Sequence, residues 1–81
     1  MNTLSDYVYE LERAAEALAV AEANYNWSSC MSAQARCMRA LQEIAPLLVE
    51  RGVKAGMSQR RMADLMEIPA SVLRGARREF A

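Results

Sequence analysis

Residues 56–78, GMSQRRMADLMEIPASVLRGARR, decide how this chain is read. With Gln59 opening a short helix, Met62 and Met66 fall on its inner face. Ala63 then occupies a point where two helices cross and only a small side chain fits. Ile68 plugs the following turn, Pro69 opens a second short helix, and Leu73 and Ala76 face inward from it. The spacing is that of a helix-turn-helix. The outward positions of the second helix, Ala70, Ser71, Arg74, Gly75, Arg77 and Arg78, are small or cationic.

Working outward, the same punctuation predicts the neighbouring elements. Ser58 is placed to cap the helix over 59–66, and Gly56 to end the helix before it. Pro46 has no backbone donor, so it predicts a break, with one helix over 30–45 and another over 46–55. Leu47, Leu48 and Val49 of the latter are core candidates, and Cys30, Cys37, Leu41 and Ile44 line one face of the former, beside Ala33 and Ala40. The segment 24–29, NYNWSS, reads as a loop. Before it, Thr3 and Asp6 have capping-box spacing, and Leu4, Val8, Leu11, Ala15, Leu18 and Tyr25 form a heptad-like stripe. Together these predict an all-α fold of about five helices. Two amphipathic N-terminal helices precede a C-terminal three-helix unit, in a single domain of residues 1–81 divided near 45/46.

Composition supports that class. Hydrophobic residues make up 53% of the 81, yet much of this is alanine, which buries little area. So small a core is marginal alone, and a homodimer sharing core between copies is expected. Leu4, Val8, Leu11 and Leu18 are the candidate dimerisation residues. The net charge of zero hides a segregation: residues 1–50 carry −4 and residues 51–81 carry +4. A polyanion is drawn to the C-terminal part and repelled by the other.

Other classes find less support. Histidine is absent, and the sequence offers no CxxC pair, phosphate-binding glycine loop or GxSxG, so neither an enzyme, a metal site nor a cofactor is expected. No small-molecule ligand is evident. No stretch approaches the ~20 apolar residues a membrane span needs, and residues 1–6 do not resemble a secretion signal, which predicts a cytoplasmic protein. Cys30 and Cys37 are seven apart, about 10 Å along a helix, too far to bridge within the chain.

The stretch Leu47–Met66, LLVERGVKAGMSQRRMADLM, resembles the opening of the phage Cro/repressor-like (Xre) family of DNA-binding domains. Lys54-Ala55-Gly56 and Ser58-Gln59 reproduce that family's corner and helix start, and Ala63 its small buried residue. The likeness covers residues 46–80. It departs at Glu67, where the family usually has glycine, and at Gly75 inside the second helix. It departs also in ending after that helix, so residues 1–45 are expected to replace the helices the family adds there.

The resemblance implies double-stranded DNA as partner, with the second helix entering a major groove. Ala70, Ser71, Arg74 and Arg78 are then the candidate base contacts, Arg74 for its bidentate fork to guanine. Ser58, Gln59, Arg60, Arg61 and Arg77 are the candidate phosphate contacts. The expected function is a transcriptional regulator, a repressor on a palindromic operator. A second reading is a protein-interaction module, such as an antiactivator, on a helix-turn-helix scaffold, favoured by Glu67, Gly75 and the aromatic residues of the acidic N-terminal half.

Overall fold

A computed structural model describes residues 2–69 of the chain. Among them are three helices and no strand: α1 (Leu4–Ala23), α2 (Trp27–Lys54) and α3 (Gln59–Met66). The all-helical class therefore holds, but about five helices was too many. The helix expected over 70–80 lies outside the described residues. Two others are one: α2 runs 28 residues straight through Pro46. A proline inside a helix costs roughly 3 kcal/mol. Here the helix is anchored on both sides, by buried Ile44 before it and buried Val49 after it, and these outweigh the lost hydrogen bond.

The start of α2 also differs from expectation, at Trp27 rather than Cys30. Asn26 is the cap: its Oδ1 accepts from the Ser29 amide at 3.2 Å and from Ser28 Oγ at 3.1 Å. The two serines that looked like loop are thus the first turn of helix. At the head of α1 the capping box forms, with Thr3 N–H donating to Asp6 Oδ2 at 2.8 Å and Asp6 N–H to Thr3 Oγ1 at 3.3 Å.

All three helices end in the same way. The Asn26 amide donates to Ala21 O and the Tyr25 amide to Glu22 O. Met57 N–H likewise reaches Gly52 O with Gly56 N–H to Val53 O, and Ile68 N–H reaches Ala63 O with Glu67 N–H to Asp64 O. Each pair is a Schellman motif, closed by one residue in the left-handed region: Tyr25 (φ 55°), Gly56 (φ 83°) and Glu67 (φ 57°). Only Gly56 adopts that conformation without steric cost.

The chain divides into two compact units between Ile44 and Ala45. In the first, α1 and the opening part of α2 meet along Ala14, Ala21, Ala33, Ala40 and Ile44, all buried. Half-buried Leu4, Tyr7, Leu11 and Leu18 complete the α1 side, and Cys30 and Cys37 the α2 side. Both cysteines are free. The steps alternate between three and four, a heptad seam whose small residues let the helices approach closely.

This seam corrects two sequence expectations. On α1, Tyr7, Ala14 and Ala21 take the places read for Val8, Ala15 and Tyr25, which are exposed. On α2, Leu41 is exposed rather than inward. Arg36 Nη2 pairs with Glu10 Oε1 across the seam at 3.0 Å, a solvated contact worth little.

In the second unit, Val49, Met62 and Ala63 form the buried core, with Met57, Met66 and Ile68 packed against it. Gly52 makes the approach of α3 to α2 possible: a Cβ there would run into Met62 Sδ. No helix among the described residues is long and apolar enough to cross a membrane.

Candidate nucleic-acid interface

The candidate side chains are positioned from the turn inward. Ser58 Oγ accepts the Arg61 amide at 3.1 Å and fixes where α3 begins. That places Gln59, Arg60 and Arg61 in the first turn, Gln59 half-buried and both arginines exposed. Met62 and Ala63, three and four residues after Gln59, share its face and enter the core, away from Arg60 and Arg61. Helical geometry thus leaves two outward positions, Arg60 and Arg61, and sets Gln59 at the edge of the anchoring face.

The electrostatics of this turn are one-signed. It contains no acid, and neither arginine forms an ion pair among the described residues. Asp64, which has the spacing to pair with Arg60 or Arg61, pairs with neither. The positive end of the helix dipole adds to the two guanidinium groups, so the turn favours an anion. Nearby, Lys54 is partly neutralised by Glu50, Nζ to Oε1 at 3.2 Å, while Arg51 is exposed. A duplex backbone is the polyanion whose phosphates suit such a surface.

At the other end of α3 the turn carries the chain away from the helix. Glu67 sits at φ 57° and ψ 40°, where the resemblance called for glycine, and Ile68 folds back onto the core. The conformation expected of a glycine is thus kept by a residue with a side chain. Pro69 is exposed. Of the candidate DNA contacts, Ser58, Gln59, Arg60 and Arg61 are brought together on one turn. Ala70, Ser71, Arg74, Arg77 and Arg78 lie outside the described residues.

Of the residues expected to join two copies, Leu4, Leu11 and Leu18 are half-buried and Val8 is exposed. Unmarked in the sequence reading was the outer face of α2, where Trp27, Met31, Met38 and Leu41 are exposed. Its signal was present as apolar residues at heptad spacing beside the inner seam. In the same unit, Arg13 Nη1 donates to Tyr9 Oη at 3.2 Å with its guanidinium over the ring. That hydrogen bond, then the Coulombic influence of Tyr9, Glu10 and Glu16, raises the Arg13 pKa above its ordinary value.

No family model, curated protein or solved structure matches the chain.

Proposed function

We propose that this protein is a sequence-specific DNA-binding regulator of the helix-turn-helix type, similar to the phage Cro/repressor-like family over residues 46–80. It acts as a homodimer on a two-fold symmetric operator, as a repressor. The observation that carries the reading is the end of α3. A Schellman turn at Glu67–Ile68 is seated on buried Met62 and Ala63, while Arg60 and Arg61 stand exposed at the helix start with no ion pair among the described residues. In this reading α3 crosses the DNA backbone, with Gln59, Arg60 and Arg61 on phosphates. The following segment supplies Ala70, Ser71, Arg74 and Arg78 to base edges and Arg77 to the backbone.

The test is a titration of the protein against duplex from upstream of its own gene and against a scrambled duplex, at two salt concentrations. A regulator gives a saturable complex with the first, tighter by about 10³-fold or more than with the second. Both affinities fall with salt as counterions are released. Equal, weak binding to both duplexes rejects the reading. It would favour the interaction-module alternative, for which the exposed apolar face of α2 is the supporting observation.

A further inference from the structure

The first unit is built inside out. Its buried interior is four alanines and one isoleucine, while four large apolar side chains of α2 face solvent. Trp27 is 56% exposed, Met31 71%, Met38 49% and Leu41 51%. With Gln34 they recur at steps of four and three, 27, 31, 34, 38, 41, a second heptad stripe beside the one that packs on α1. Gln34 Nε2 donates to Met38 Sδ at 3.0 Å, so the stripe's one polar member is already turned along it. At its Trp27 end the stripe opens into a groove lined by Ala15, Leu18, Ala19, Glu22, Trp27 and Cys30.

Two quantities identify the occupant. Side chains of this size present on the order of 200 Å² when free, so these exposures leave roughly 450 Å² of apolar surface per copy. Two copies together have about 900 Å² of this surface, and Gln34, Ala15 and Ala19 bring the total toward the roughly 1,000 Å² that a specific interface must clear. The second quantity is charge. Ser28, Ala35 and Gln42 run along the outer edge of the stripe, and Arg36, Arg39 and Glu43 lie on other faces of the helix. The α2 stripe itself carries no charge, and Glu22 stands at the rim of the groove beyond its Trp27 end, so two copies of the stripe meet without like charges opposed along it.

We infer that this face of α2 is the subunit interface, on which two copies pair antiparallel about a two-fold axis near residue 36. The inference rests on the homodimer part of the function proposed above and says where the dimer forms. In that register Met31 faces Leu41 of the partner subunit and Gln34 faces Met38 of the partner subunit, each layer occurring twice. Opposed helix dipoles favour the antiparallel sense. Gln34, polar within an apolar seam, fixes the register against slippage.

The experiment is sedimentation of the full chain at micromolar concentration without DNA, so a failure of operator binding cannot be confused with a failure here. The wild type sediments as a dimer. Met38→Glu and Leu41→Glu, both on exposed positions, retain their helical circular dichroism and weaken self-association at least about 100-fold. Register is read by oxidation in a Cys30→Ala, Cys37→Ala background. Met31→Cys with Leu41→Cys cross-links two chains, whereas Met31→Cys alone does not, because its two copies stand about 15 Å apart along the axis. A wild type that stays monomeric at about 100 μM overturns the inference in favour of a foreign apolar helix on this face. So does a dimer indifferent to both glutamates, or cross-linking by Met31→Cys alone.

Discussion

Single residues fix the geometry of the C-terminal unit, and three of them give measurable expectations. Glu67 holds a left-handed conformation that costs a side chain about 1–2 kcal/mol. Glu67→Gly is therefore expected to raise stability by about 1 kcal/mol in chemical denaturation, after the entropy glycine loses on folding. Ser58→Ala removes the cap of α3 and is expected to cost about 0.5–2 kcal/mol. At Gly52 the space for a side chain is already filled by Met62. Gly52→Val is expected to displace it and lower stability by about 1–3 kcal/mol, seen as an earlier denaturant midpoint.

At the scale of elements, what could be read from the sequence was whatever local chemistry decides. The caps at Thr3 and Ser58, the stop at Gly56 and the turn at Glu67 each depend on a few neighbouring residues, and the structure has them all. Two kinds of feature escaped. Pro46 carries a strong local signal for a break, but the anchoring of Ile44 and Val49 is tertiary and leaves no mark near the proline. The α1 seam was read one residue out at several steps. Ala14 and Ala15 are chemically identical, and Val8 outranks Tyr7 in hydrophobicity although Tyr7 is the residue turned inward. Alanine-rich helices blur their own register. The candidate site was legible through α3 because Ser58, Gln59, Arg60 and Arg61 follow from one cap. Gly52 drew no notice there, since a lone glycine in a helix looks like a defect until its neighbour across the contact is known.

For the whole molecule, the segregation of charge, −4 over residues 1–50 and +4 over residues 51–81, sets what the proposed DNA binding predicts. Arg61→Ala is expected to weaken binding to every duplex alike and to reduce the salt slope by about one phosphate. Arg74→Ala is expected to alter which sequence is preferred, measured as a changed ratio between operator and base-substituted variants. Equal losses on all sequences from both changes would remove that division of roles. The methyl-lined interior of the first unit has a further consequence. With so little large hydrocarbon inside, the dimer inferred above is expected to draw much of its stability from mass action, and its melting midpoint to climb with protein concentration. On that inference the unpaired form is the one that opens to proteases, so the chain is expected to be short-lived when scarce and durable once abundant. Dosage would then set lifetime as well as occupancy, which sharpens the threshold at which the protein begins to act.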